Sequence, residues 1–183
     1  MTAEPGRGRP VAIVLTVSDG VAAGAREDAS GPAVEARLAA LGYEVSRDVV
    51  ADDRGAISAA ILAAATSAAL VVTTGGTGLT PRDVTPEATM DAVDRVVPGL
   101  AEAMRAAGRA RTPLADLSRG IVGACGAALV VNLPGSPRGA VESLEAIEPV
   151  LSHAVETLAG PFDHAGWTST RDGIDEEGGG AGG

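Results

Sequence analysis

The chain has 183 residues, is 45% hydrophobic but only 2% aromatic, and carries a formal net charge of −10. One domain of that size can bury a substantial core, which Ala, Val, Leu and Ile must build. The negative balance and the lack of stacking platforms oppose nucleic acid as a partner. All 14 basic residues are Arg, which excludes Schiff-base, P-loop and nucleotidyl-lysine chemistry. A single cysteine, Cys125, excludes an internal disulfide and a Cys-x-x-Cys metal site. Met1–Pro10 lacks an apolar signal core and no segment approaches a membrane span, so a cytoplasmic protein with no membrane partner is expected.

In chain order, residues 1–10 are rich in Pro, Gly and Arg and read as a flexible N-terminus. Val11–Val17 is a continuous β-branched run, a first buried strand, and a small-residue loop follows from Ser18 to Ser30. Ser30 is the expected N-cap of a helix to Ala40, with Val34, Leu38 and Leu41 on one face and Gly42 as its stop. Tyr43–Val50 reads as a second strand, ending in Ala51-Asp52-Asp53-Arg54. Ala56–Thr66 is an expected helix that buries Ile57, Ile61 and Leu62. A third strand opens at Ala69. Beyond it, helices are expected over Thr85–Val93 and Gly99–Ala107, then a loop over Arg111–Arg119. Gly120–Cys125 and Ala127–Val131 read as a hairpin or two adjacent strands. The loop Asn132-Leu-Pro-Gly-Ser136 leads into a helix from Pro137 to Ile147, which Glu148–Ala159 continues or restarts. Residues 11–160 thus form one domain, and 161–183 read as a disordered, acidic, Gly-rich tail.

Strands alternating with helices argue for an open, mostly parallel α/β sheet in three layers, with helices on both faces. Ligands of such sheets sit beyond the carboxyl ends of the strands. Ser18-Asp19, Asp52-Asp53 and Gly75–Asp83 all follow strand ends, so three loops, each carrying a carboxylate, should converge.

The third of these is the richest. An apolar strand breaks into Gly75-Gly76-Thr77-Gly78, where missing Cβ atoms let backbone amides gather around an anion. Pro81-Arg82-Asp83 adds a cation and an acid, and Thr85-Pro86-Glu87 opens a helix with Thr85 as expected N-cap. This layout handles phosphate, yet it matches neither a Walker A loop nor the G-x-G-x-x-G fingerprint. An acid beside a phosphate site repels its ligand unless a cation intervenes, so Asp83 is a candidate Mg²⁺ ligand. Its alternative is a carboxylate that merely caps the Thr85 helix region. Arg82 and Arg138 are further cations for phosphate, though surface exposure is the commoner fate of Arg. Ser136 is most simply an N-cap. Cys125 reads as a small buried hydrophobe. With only His153 and His164, a Ser-His-Asp hydrolase or a zinc enzyme is not supported.

Thr73-Thr-Gly-Gly-Thr-Gly-Leu-Thr-Pro-Arg-Asp-Val-Thr-Pro-Glu-Ala88 resembles the signature of the MogA/MoaB family of molybdenum-cofactor proteins. Pro98-Gly99, Leu117-Ser118-Arg119 and Asn132-Leu-Pro-Gly-Ser-Pro137 resemble its other motifs, in the same order, over roughly Val11 to Gly160. The resemblance implies a Rossmann-like fold, a homotrimer or hexamer, and molybdopterin adenylyltransferase activity. Molybdopterin would attack the α-phosphate of ATP, with Mg²⁺ present and pyrophosphate released. It places the functional aspartates at Asp52 and Asp83, with Asp53 as the neighbouring alternative to Asp52. It places substrate and nucleotide contacts at Asp19, Thr74, Gly75, Gly76, Thr77, Gly78, Ser118, Arg119, Asn132, Pro134, Gly135 and Ser136. Some members lack adenylylation, and in some of those the stretch after the glycine loop departs from Pro-Arg-Asp-Val-Thr-Pro-Glu, which is complete here. A non-catalytic pterin- or nucleotide-binding protein, or an oligomerisation domain of the same fold, is the alternative reading.

Overall fold

Val11–Val17 (β1) sends alternate side chains to opposite faces, as a strand must. Ala12 and Val14 pack on one side, Leu15 and Val17 on the other. The computed structural model describes residues 8–160; the expected flexible N-terminus (except residues 8–10) and disordered tail lie outside the described residues. β1 is flanked by Glu44–Val50 (β2) and Leu70–Thr74 (β3), and Ala128–Leu133 (β6) joins β3. All these pairings are parallel. Val122–Cys125 (β5) then runs antiparallel to β6, and Arg95–Val96 (β4) antiparallel to β5. The order β2-β1-β3-β6-β5-β4 is the expected open, mostly parallel sheet.

Helices cover both faces. Ser30–Ala40 (α2), Pro98–Arg109 (α5) and Pro137–Ala159 (α6) pack on the face of Val14, Leu70, Val72 and Leu129. Arg54–Ala65 (α3) and Thr85–Ala92 (α4) pack on the face of Leu15, Val71 and Val130. Both cores are mainly aliphatic, with Tyr43 an aromatic member of the first. Each fully buried Leu or Ile, such as Leu38, Ile61 or Leu144, contributes on the order of 2 kcal/mol by leaving water.

Local corrections follow from packing. Leu41 and Leu62 were expected inside but are 40% and 46% exposed; α3 buries Ile57, Ile61 and Ala64 instead, a narrower stripe at i, i+4, i+7. Ser30 lies inside α2 rather than capping it; Asp28 Oδ1 accepts the Gly31 N–H at 2.9 Å, so the acid does the capping. The first loop contains a short helix, Asp19–Ala22 (α1), capped by Ser18. A 3-10 turn, Pro113–Leu117, occupies part of the loop before β5. The apolar runs around Gly126 form the expected hairpin, but β6 extends through Asn132 and Leu133. Helix α6 is continuous through Pro149. The proline removes one backbone donor, while Leu144, Ile147, Leu151 and Val155 keep one unbroken buried stripe. Cys125 is only half-buried. Among the described residues, no helix is long and apolar enough to cross a membrane.

Candidate functional site

The carboxyl ends of β1, β2, β3 and β6 deliver Ser18-Asp19, Asp52, the Gly75–Asp83 loop and Pro134–Ser136 to one edge of the sheet. The loop needs its first two glycines. Gly75 has φ +96° and Gly76 φ +63°, a region that side chains avoid. A Cβ on Gly75 would stand 2.5 Å from Val17 O, and one on Gly76 would stand 2.3 Å from Thr85 Oγ1. Thr85 therefore does not cap its helix; Val84 holds that position without a side-chain bond. Fully buried, Thr85 donates its hydroxyl to Gly75 O at 2.9 Å, because the loop turns that carbonyl inward where it needs a donor.

The carboxylates divide the work. Asp19 and Asp52 exchange bonds: Asp19 N–H donates to Asp52 Oδ2 at 2.8 Å, and Asp52 N–H to Asp19 Oδ1 at 2.9 Å. Two strand-end loops are thereby stitched together. Asp53 caps α3 by accepting the Ala56 N–H, which leaves Asp52 as the acid that faces the cavity. Burial, and then the nearby Asp83 charge, push the Asp52 carboxyl above its ordinary range, with Arg26 pulling the other way. Asp83 is held below its ordinary range. Burial opposes this most, but hydrogen bonds from Thr80 and Gly78 and the charge of Arg119 together outweigh it. The Thr80 N–H lies 2.8 Å from Asp83 Oδ2.

Two cavities flank the glycine loop. The first, about 430 Å³, is lined by Thr74, Gly75, Gly76, Gly135, Asp52 and Asp83, with Arg26, Asp28 and Arg82. The second, about 290 Å³, is lined by Thr77, Gly78, Ser118, Asn132, Pro134 and Ser136, with Met104, Arg105, Arg111, Leu114 and Leu117. The expected site residues thus fall into two sets, with the glycine loop contributing Gly75 and Gly76 to one and Thr77 and Gly78 to the other. Asp19 and Arg119 line neither cavity. Asp19 stands beside the first, paired with Arg82, and Arg119 grips the glycine loop from behind. Asn132 is 1% exposed; its amide donates to Thr73 Oγ1 at 3.0 Å and Thr89 Oγ1 at 2.9 Å, and accepts the Ile121 N–H. Ser136 caps α6, and Arg138 pairs with Glu142 rather than facing a cavity.

Sequence reading missed Arg26 and Asp28. Their signal was a charged run, Arg26-Glu27-Asp28, inside an otherwise small-residue loop. The Arg26 guanidinium donates to Ser18 Oγ at 2.8 Å, and its charge acts on Asp52 across the cavity. The second cavity's apolar wall was missed because it comes from α5 and the turn after it, away from any strand end.

Among the described residues, no group of three or more metal-ligating side chains could hold an ion alone. The donor set still fits Mg²⁺, which takes one or two carboxylates plus substrate phosphates rather than a protein cage. The Asp83 charge makes ionisation of Asp52 costlier in that cavity, a cost that a divalent cation would relieve.

Strand-end loops, a glycine turn and two acids beside two cavities define an open α/β domain whose candidate site lies at the carboxyl ends of its parallel strands. The sequence pattern of the family described as "probable molybdopterin binding domain" matches residues 13–153, and the chain belongs to that family, as the MogA/MoaB resemblance implied. It is 44% identical over 155 residues to a molybdenum cofactor biosynthesis bifunctional protein of Synechococcus elongatus, covering 84% of this chain but 48% of that protein. The chain therefore spans about half the length of that relative. It is 37% identical to a molybdopterin adenylyltransferase of Helicobacter pylori, covering 81% of this chain and 88% of the relative. Among solved structures it resembles the molybdopterin biosynthesis enzyme MoaB of Thermus thermophilus, with 46% identity and a TM-score of 0.78, covering 84% and 99% of the two chains.

Proposed function

We propose that this chain is a molybdopterin adenylyltransferase of molybdenum cofactor biosynthesis, with ATP as the adenylyl donor and Mg²⁺ as its cofactor. The observation that carries this reading is the pair of cavities divided by the glycine loop, which lets two substrates meet across its rim. The acid-lined cavity, with Arg26, suits the nucleotide phosphates. The cavity walled by Met104, Leu114 and Leu117, with Arg105 and Arg111, suits a pterin ring carrying a phosphate. A phosphate oxygen of molybdopterin bonds to the α-phosphorus of ATP. The bond from that phosphorus to the bridging oxygen breaks, and pyrophosphate leaves.

No general base is required, because the attacking phosphate is already largely ionised at neutral pH. The residues act by holding the reactants in line and opposing charge. Asp83, ionised through its hydrogen bonds, and Asp52 would hold Mg²⁺ against the phosphates, and the bound ion would supply charge neutralisation. Arg26 would meet phosphate oxygens directly. The relatives named as adenylyltransferases support the reaction class. A cytoplasmic homotrimer or hexamer is the matching assembly, with exposed Leu79 and Val96 as apolar surface to cover.

The test is pyrophosphate release with ATP, Mg²⁺ and freshly prepared molybdopterin, run beside Asp83→Asn. Molybdopterin-dependent release that falls on the order of a hundredfold in the variant is expected. ATP binding without release would leave a binding protein of the same fold.

A further inference from the structure

Arg119 sits just before β5, behind the glycine loop, and its own segment is fixed: Arg105 Nη1 donates to Gly120 O at 3.0 Å. From there the residue grips four places. Its backbone N–H donates to Thr77 O at 2.9 Å, and its Nε donates to Gly78 O at 2.7 Å. Its Nη2 donates to Asp83 O, and its Nη1 pairs with Glu87 Oε1 in the first turn of α4. Gly78 and Asp83 are the two ends of the hook that carries Pro81 and Arg82. One guanidinium therefore closes that hook and ties it to a helix.

The clamp touches functional backbone and little else. Gly78 lines the second cavity and Asp83 the first. Within the hook the Asp83 carboxylate accepts the Thr80 N–H, so fixing the ends of the hook fixes the carboxylate. Glu87 is bound over to this task. Its bond to Arg119 is the main reason its carboxyl lies below the ordinary range, and its second oxygen, Oε2, is buried without a hydrogen-bond partner. The Arg119 and Glu87 side chains are 34% and 40% exposed, and pairs of that exposure add about 0–1 kcal/mol to global stability. Helix α4 is anchored independently by Thr85 and Thr89. Losing the pair should loosen the hook while the domain stays folded.

We infer that Arg119 and Glu87 form a positioning clamp that holds the Asp83 hook across both cavities, with Arg119 acting through the loop instead of contacting substrate. The inference rests on the adenylyltransferase reading above and assigns Arg119 a role other than the ligand contact that the family resemblance implied. A misplacement of about 1 Å at a reacting centre can cost a hundredfold in rate, so a loosened hook should act on turnover more than on binding.

The experiment compares wild type with Arg119→Lys, Glu87→Ala and the double variant in the full chain. Alanine is the best helix former, so Glu87→Ala preserves α4 even where Arg119→Lys fails to fold. Three quantities are measured: kcat and KM for ATP and molybdopterin, Tm, and amide hydrogen exchange over residues 78–84. Each single variant is expected to lower kcat on the order of ten- to hundredfold with KM changed less than about twofold. Exchange over 78–84 should rise similarly in both, Tm should shift by only a few degrees, and the double variant should be no worse than the poorer single. Arg119→Lys raising KM about tenfold or more, with Glu87→Ala fully active, would overturn the clamp and restore a substrate contact. Independent, additive losses or unchanged exchange over 78–84 would overturn it as well. Absent pyrophosphate release in wild type would instead defeat the adenylyltransferase reading, and with it the catalytic role of the clamp. Exchange would then still show whether Arg119 and Glu87 hold the hook.

Discussion

Asn132→Ala separates a ligand-binding amide from a structural one. The side chain is 1% exposed and makes three hydrogen bonds, to Thr73, Thr89 and the Ile121 N–H. Each contributes about 1 kcal/mol net. Thr89 keeps its bond to Thr85 O, but the Ile121 N–H loses its acceptor and Thr73 its donor. Truncation also leaves a small void between β6 and α4, so the total loss is about 3–4 kcal/mol. A domain of this size has about 5–15 kcal/mol in all. With a urea slope near 2 kcal/mol per molar, the unfolding midpoint should fall by about 1.5–2 M. The assay is urea titration followed by far-UV circular dichroism at fixed protein concentration, since assembly would otherwise shift the midpoint. Asn132→Asp should be worse, because it places a buried acceptor-only group against hydroxyls already partly committed as donors. A midpoint shift under about 0.3 M, accompanied by lost substrate binding, would refute this account and return Asn132 to the ligand.

Gly76→Ala combines a positive-φ penalty with a Cβ 2.3 Å from Thr85 Oγ1. It should cost about 2–3 kcal/mol, read as a lower Tm, whereas Gly42→Ala should lose only the φ penalty because nothing crowds its Cβ. Equal losses at the two positions would show that loop closure does not depend on Thr85. Asp52→Asn tests the raised carboxyl. The folded value lies above the unfolded value of about 3.9, so the Asp52 contribution is fully present below that pH and is lost as pH rises through the folded value. The variant keeps an oxygen for the Asp19 N–H. It should be more stable than wild type near pH 7 and lose that advantage near pH 3.5 and below. A variant that is less stable at neutral pH would show that Asp52 is stabilised as an anion.

The sheet and its connections were legible because they are written in apolar runs and glycine breaks. Val11–Val17, the third strand and the Gly126 hairpin each emerged close to where they were read. The converging strand-end loops were legible for the same reason. What the chain order hides is direction. Asn132 and Thr85 are small polar residues at element ends, and the sequence alone does not say whether they face a ligand or a neighbour's buried backbone. Periodicity marks them as polar, and only packing turns them inward. Arg119 is harder still. The three partners of its side chain lie 32–41 residues away, so no local pattern reveals them. Leu41 and Leu62 erred in the opposite sense: apolar residues that fall outside the buried stripes of their helices.

The alternation along β1 and β3 has a consequence for how this domain can change. Val14 and Leu15 are neighbours in sequence, yet they belong to cores with no residue in common. The sheet's backbone acts as an insulating layer. Substitutions on opposite faces should combine without interaction, while those sharing a face should compensate or aggravate each other. The apolar core under α2, α5 and α6 can therefore drift in composition without disturbing the apolar core under α3 and α4, while polar ties such as Arg105 to Gly120 still couple α5 to the clamp on the Asp83 hook. The fold is modular through its thickness rather than along its length.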